Sequence, residues 1–192
     1  MTELNTSNNR YSAKMIAKMG MMAAIACVFG LFRFPILPMV PFLTYDFADI
    51  PIIISAFAFG PVAGILITLV VSFIQAFLLG GDAVYGFIMH VLASGTFVLV
   101  SSLIYSKHKT KKRAITSMAI ATGVMIVVMG IANYFVTPFY MGGGDPAAMK
   151  AMTQAVVSLM PFILLFNLIK GVANSLITFI VYKRISPFLH RQ

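Results

Sequence analysis

Residues 49–61 read Asp-Ile-Pro-Ile-Ile-Ile-Ser-Ala-Phe-Ala-Phe-Gly-Pro, and the fold turns on them. Asp49 supplies a helix N-cap, Pro51 sits in the first turn where its missing N–H costs nothing, and Gly60–Pro61 stops the helix. About eleven residues at 1.5 Å each give roughly 16 Å, half of a ~30 Å hydrocarbon core. The segment is apolar throughout yet too short to cross a bilayer alone. Either the helix tilts steeply against neighbours, or the loop before it dips inward. Irregular backbone at membrane depth survives only where protein buries it or a cavity lies beside it. The preceding loop, residues 34–48, is therefore the first pointer to a binding site.

Working outward, five longer apolar segments surround this short one. They cover residues 14–32, 61–79, 84–105, 114–136 and 161–182; counting the short one as second, the fifth segment (114–136) is stopped by Pro138 and the sixth is preceded by an amphipathic lead-in over 147–160. Each longer segment reaches the ~17–25 residues that a spanning helix needs. The first is too long for a signal-peptide core and has no A-x-A-like site after it, so it reads as a retained helix. Of the 192 residues, 60% are hydrophobic and 10% charged, against about 25% charged in soluble domains. The expected fold is an all-α integral membrane protein of six transmembrane helices, with a structured outer first loop and a short second helix. It forms a single domain over 1–192, with tails at 1–13 and 185–192 and the bundle at 14–184. A soluble enzyme, a disulfide scaffold and a disordered chain are excluded, and the one cysteine, Cys27, has no partner for an internal bridge.

The net charge of +9 is placed as the positive-inside rule requires. Arg10, Lys14 and Lys18 flank the first segment. Lys107, Lys109, Lys111, Lys112 and Arg113 form a second cluster, and Lys183, Arg184 and Arg191 a third. Six crossings put all three clusters and both termini in the cytoplasm, with Asp46, Asp49, Asp82 and Asp145 outside. A nucleic-acid partner is not expected, because the basic residues sit at helix ends rather than on a folded soluble face. Arg33 and Lys150 lie at outer helix ends, where a long side chain snorkels cheaply.

Lys170 does not have that escape. It stands nine residues past Pro161, about 13–14 Å along a helix, where a charge costs at least ~2.5 kcal/mol. Asn167 and Asn174 share its face at i−3 and i+4, and Gly171 beside them leaves room for an approaching group. This face reads either as a polar wall of a ligand cavity or as a seam bonding neighbouring helices, such as one containing Asn133. Asn133 and Tyr134 fall near the outer end of the fifth segment. An asparagine carboxamide suits an imide or lactam edge, and tyrosine supplies stacking area. The loop Phe42, Leu43, Thr44, Tyr45, Asp46, Phe47 mixes aromatics, hydroxyls and a carboxylate, as expected around a polar aromatic ligand.

His90 and Gln75 read as helix–helix hydrogen bonds, and no second ligand is spaced with His90 to make a metal site. Ala13, Ala17, Gly20 and Ala24 form a small-residue stripe at offsets 0, 4, 7 and 11, suited to close packing inside the monomer or against a partner. Tyr45–Asp46 with Gly142–Gly143–Gly144–Asp145 matches the YD and GxGD patterns of intramembrane aspartyl proteases. That chemistry needs two facing carboxylates, and these fall in outer loops. The glycine run lacks the Lys-Ser/Thr of a phosphate loop, so ATP coupling would have to come from another subunit. The mid-membrane segments carry no Asp or Glu of the kind on which a stand-alone ion-coupled carrier relies.

With these residues laid out, the sequence resembles the substrate-binding (S) components of energy-coupling-factor (ECF) vitamin transporters, most closely the riboflavin-specific type. The resemblance runs from Ala13 to Arg184. It is most specific in Phe34-Pro-Ile-Leu-Pro-Met-Val-Pro-Phe-Leu-Thr-Tyr-Asp-Phe-Ala-Asp-Ile-Pro51, in Ala56-Phe-Ala-Phe-Gly-Pro61, and in Asn167-x-x-Lys170-Gly171. It implies a non-enzymatic multi-pass cell-membrane subunit without a cofactor. Such a subunit captures riboflavin outside and delivers it with a transmembrane coupling subunit and two cytoplasmic ATPases. The implied ligand set is Thr44 to Asp46, Asn133, Asn167 and Lys170, to which the residue reading adds Leu43, Tyr134, Gly171 and Asn174. Asp46 would balance the Lys170 charge if the loop folds in. The resemblance also implies that the Ala13, Ala17, Gly20, Ala24 stripe docks the coupling subunit. An S component for another vitamin is the alternative within the family.

Overall fold

The computed structural model describes residues 12–80 and 82–189. Arg10, Gly81, Arg191 and most of the expected N-terminal tail lie outside the described residues. Among those described, the order is α1 (Ala13–Phe29), β1 (Arg33–Pro35), β2 (Thr44–Asp46), α2 (Asp49–Phe59), α3 (Pro61–Phe77), α4 (Ala83–Lys107), α5 (Lys111–Met141) and α6 (Pro146–Leu189). By length and composition α4, α5 and the part of α6 from Pro146 to Tyr182 are able to cross a membrane, while α2 and α3 are apolar but shorter.

Local chemistry sets the helix starts. Ser12 accepts from the Met15 N–H at 3.3 Å, and Thr110 from the Arg113 N–H at 3.2 Å. Asp145 accepts from the Ala148 N–H at 2.8 Å, capping α6. Between α2 and α3 the chain reverses at Gly60, whose φ of 99° belongs to the region that favours glycine.

Two prolines do not break helices as the sequence suggested. Helix α5 runs through Pro138 and stops at Gly142, and α6 runs through Pro161, merging the expected lead-in with the last span. Each proline removes one backbone hydrogen bond, and neighbouring helices hold both segments, since α5 packs along α4 and α6. Residues 185–189 are helical and continue α6.

The short helix is central. Nine of the eleven residues of α2 are buried, and it packs against α1, α3, α4 and α6. A helix that is apolar all round, apart from Asp49 and Ser55, has to be surrounded in this way. Contact with α3 and α4 is close at Gly64, where a Cβ would fall 2.5 Å from the Ala56 Cβ and 2.7 Å from Val98.

The loop before α2 holds a hairpin that was not foreseen. Strands β1 and β2 pair antiparallel, with Arg33 opposite Asp46, Phe34 opposite Tyr45 and Pro35 opposite Thr44. The Tyr45 and Phe47 rings meet edge to face at 5.3 Å, with Phe34 against both. Between the strands, Leu37, Val40, Phe42 and Leu43 pack on Val156 and Ile163 of α6. The loop is thus pinned at both ends and along its middle.

Gly64→Val is expected to lower the thermal midpoint in detergent by an amount corresponding to about 1–3 kcal/mol of overpacking. Gly20→Ala, where a Cβ meets nothing within 4 Å, is expected not to lower it. Equal midpoints for Gly64→Val and wild type would refute the tight α2–α3–α4 contact.

Candidate ligand-binding site

Asp49 opens α2, inside the protein, and its position controls the site. It is a first-turn residue, with Ala48 as the cap, and it is buried. The sequence reading that made it the N-cap is corrected, since Ala48 takes that position and the packing of α2 on every side buries the carboxylate. One carboxylate oxygen accepts from Ser94 of α4. The other accepts from Asn174 Nδ2 at 2.9 Å and pairs with Lys170 Nζ at 3.1 Å, both from α6. His90 Nε2 of α4 stands 3.7 Å away. A buried carboxylate is tolerable only when paired and hydrogen-bonded in this manner. The counter-charge to Lys170 is therefore Asp49, and the suggestion that Asp46 balances it is corrected. Asp46 Oδ1 instead accepts from the Ala48 N–H at 2.9 Å, shaping the turn into α2.

A partly open cavity lies between the first loop, α3, α4, α5 and α6. Of the residues picked out from the sequence, Leu43, Thr44, Asp46, Asn167 and Lys170 line it. Asn167 Nδ2 donates to the Ile163 carbonyl at 2.8 Å. A carbonyl only accepts, so this bond fixes the amide orientation and leaves Oδ1 and one N–H available. Lys170 spends one of three donors on Asp49. Phe42, Tyr85, Met89, Met129 and Phe166 supply apolar wall.

Tyr45, Asn133, Tyr134, Gly171 and Asn174 do not line the cavity, and their neighbours explain why. The Tyr45 hydroxyl donates to Asn174 Oδ1 at 2.9 Å, tying the hairpin through Asn174 to Asp49. Burial, with the Asp49 charge adding to it, pushes the Tyr45 phenol up to about 12, so it remains a donor near neutral pH. Asn133 bonds the Met129 carbonyl at 2.8 Å and accepts from Thr137 at 3.1 Å. Thr137 has spent its proton there, so the Tyr85 hydroxyl, 3.0 Å away, is the donor to it. Asn133 thus orients a wall residue from behind. Tyr134 faces outward, edge-on to Phe135 at 4.9 Å. Gly171 makes room for Thr122 of α5, since a Cβ there would lie 2.6 Å from the Thr122 methyl.

Five polar wall residues were not recognised in the sequence as site members: Arg33, Ser72, Gln75, Asp82 and His90. Arg33 is held by the backbone around it. Its Nε donates to the Gly30 carbonyl at 2.9 Å and its Nη2 to the Gln75 carbonyl at 3.3 Å. Ser72 donates to the Thr68 carbonyl and therefore accepts from His90 Nδ1 at 2.7 Å, which sets the imidazole tautomer. For Ser72, Gln75 and His90 the only sequence signal was polarity within apolar segments, which structural seams share. Among the described residues no group of three His, Cys, Asp or Glu is placed to hold a metal ion.

The family model described as "ECF transporter, substrate-specific component" matches residues 14–182. The chain belongs to the ECF S components. A Staphylococcus aureus (strain TCH60) protein named riboflavin transporter RibU is 36% identical over 184 residues, covering 95% of this chain and 96% of that one. A Bacillus subtilis (strain 168) protein named riboflavin transporter FmnP is 28% identical over 184 residues, covering 93% and 95%. A solved structure described as the S component of a bacterial ECF transporter superposes with a TM-score of 0.75 at 37% identity, over 93% of this chain and 98% of that one.

As an S component the chain is a membrane transporter part and not an enzyme, which disposes of the aspartyl-protease reading. Asp145, one of its two acids, is exposed and occupied in capping α6. The stripe of Ala13, Ala17, Gly20 and Ala24 is exposed along α1 and is not packed inside the monomer.

Asp49→Ala is expected to strand the Lys170 ammonium in the interior and to cost about 3–5 kcal/mol, read as a lower unfolding midpoint in detergent. Asp49→Asn combined with Lys170→Met removes both charges and is expected to recover most of the loss. A single variant as stable as wild type would show that the pair is not what holds α2 to α6.

Proposed function

We propose that this S component is the riboflavin-binding subunit of an ECF-type uptake transporter of the cell membrane. The observation that carries the reading is chain-long similarity to relatives named riboflavin transporters, at 36% and 28% identity. The cavity chemistry agrees with it. The uracil-like edge of a flavin presents two carbonyls flanking an N–H, and Asn167 offers an acceptor beside a donor to match it. Lys170, held by Asp49, donates to a neighbouring carbonyl. Leu43, Phe42, Met129 and Phe166 cover the apolar part of the ring, while Thr44 and Asp46 close the site from the loop side. Tyr45, Asn133 and Asn174 hold this set in place from behind. Riboflavin is neutral, which suits a site whose central cation already has an internal counter-ion.

Six crossings, with both termini cytoplasmic, follow from the basic clusters at one side of the membrane. Large apolar side chains such as Leu31, Phe73, Val127, Phe135 and Leu176 are exposed, a surface that lipid covers. The chain carries no phosphate loop, so ATP-driven delivery belongs to partners: a transmembrane coupling subunit and two cytoplasmic ATPases. The exposed small-residue stripe on α1 is the docking surface for the coupling subunit, since small side chains let a partner helix approach closely.

Protein purified from cells grown with riboflavin is expected to be yellow, with the absorption bands of a bound flavin, and to quench added riboflavin fluorescence. A colourless preparation that quenches nothing would refute the ligand. Asn167→Ala or Lys170→Met is expected to weaken binding by about 1–3 kcal/mol, a 5- to 150-fold rise in Kd. Ala17→Phe is expected to abolish cellular uptake while leaving detergent binding unchanged. Normal uptake by that variant would move the docking surface elsewhere.

A further inference from the structure

The turn between α4 and α5 carries the densest charge in the chain, far from the cavity, and no acid stands near it in the sequence. Lys107, Lys109, Lys111, Lys112 and Arg113 fall within seven residues. The four lysines are exposed, and among the described residues none of the five joins an ion pair. No Asp or Glu occurs between Asp82, which precedes α4, and Asp145, which follows α5. Those two acids stand at the opposite ends of the helices. Lys111, Lys112 and Arg113 open α5, where the positive end of the helix dipole repels a cation. Membrane topology asks for positive charge on this side. It does not relieve the mutual repulsion of five cations in one turn.

The lysines also end exposed apolar stripes. On α4, Leu99, Leu103 and Lys107 follow one another at one-turn spacing on one face, all exposed. On α5, Ile115 lies one turn past Lys111 and Ile120 two turns past Lys112, again exposed. A surface apolar along its helices and cationic at their ends matches a molecule with acyl chains and an anionic head. An acidic protein surface would match the lysines alone. The turn stands apart from the α1 stripe as well, since α1 packs chiefly on α2 and α3, and α5 on α4 and α6.

We propose that the α4–α5 turn is a binding site for anionic phospholipid of the cytoplasmic leaflet. The headgroup phosphate lies against Lys109, Lys111 and Lys112, and the acyl chains run along Leu103 and Ile115. The bound lipid supplies the counter-charge that the chain lacks. The choice of leaflet rests on the topology proposed above. Clustered cations beside a spanning helix attract anionic headgroups in this way, over a range set by salt screening.

The test titrates phosphatidylglycerol into delipidated protein in an uncharged detergent and follows the unfolding midpoint, which a ligand of the folded state raises. Phosphatidylcholine with the same chains and inorganic phosphate are run in parallel. Phosphatidylglycerol is expected to raise the midpoint, and the other two to leave it where it was. An equal rise with inorganic phosphate would make this a site for free anions, and an equal rise with phosphatidylcholine a contact of acyl chains alone. Either result overturns the proposal. Lys109→Gln, Lys111→Gln and Lys112→Gln combined are expected to raise the lipid concentration for half the effect about tenfold, in protein that elutes as wild type. The same three positions changed to Arg are expected to titrate as wild type. An unaltered titration in the Gln variant refutes the site, and lost cellular uptake beside it would assign the patch to a protein subunit. If the triple variant does not fold, Lys109→Gln alone decides by the direction of the same change. Lys109→Cys is expected to react with a membrane-impermeant maleimide only in opened cells. Reaction in intact cells would refute the topology and the leaflet with it, a result separate from the titration in detergent.

Discussion

A single carboxylate in an apolar interior organises this protein. Asp49 sits on a helix too short to cross a membrane, and it accepts from Ser94, Asn174 and Lys170 on two longer helices. Water would otherwise have to solvate that charge. The requirement to keep it paired fixes where α2 starts, how α6 is rotated and which way Lys170 points. Through Asn174 the same requirement reaches Tyr45 and the hairpin. Loop and bundle are therefore one electrostatic unit.

The cavity wall depends on that unit for its shape. Residues that touch the cavity are held by others that do not, Lys170 by Asp49 and Tyr85 by Asn133 through Thr137, while Ser72 holds His90 from within the wall itself. In a low-dielectric interior each such bond is stronger than in water, and each group left unpaired costs more. This explains why so many side chains near the site are small and polar in a chain that is otherwise apolar. It also explains why Gln75, with an unpaired amide nitrogen, stands out among them.

Much of the site was legible as a location and little of it as a wiring diagram. The proline-rich loop and the Asn167–Lys170 face were recognisable because both break an apolar pattern, and five of the residues named from them line the cavity. Asn133, Asn174 and Gly171 broke the pattern equally well, yet they serve positions one layer back. A polar residue in an apolar helix signals a partner without naming it, and protein partners and ligand atoms satisfy it alike. Asp49 was misplaced for a related reason. Its spacing before Pro51 looks the same whether the helix start is wet or buried, and only the four helices around α2 distinguish the two.

Hydropathy, the spacing of turn residues and the distribution of lysine and arginine determined the class of this protein from its sequence: helical, lipid-embedded, with one half-length helix. These are local properties, and each is set by the residues within a few turns. The partner of Lys170, the hairpin that closes the loop and the passage of α5 and α6 through their prolines were decided only by tertiary structure. Asp49 and Lys170 lie far apart in sequence, and no local rule couples them. What joins them is the cost of leaving either charge alone in an interior with no water to receive it.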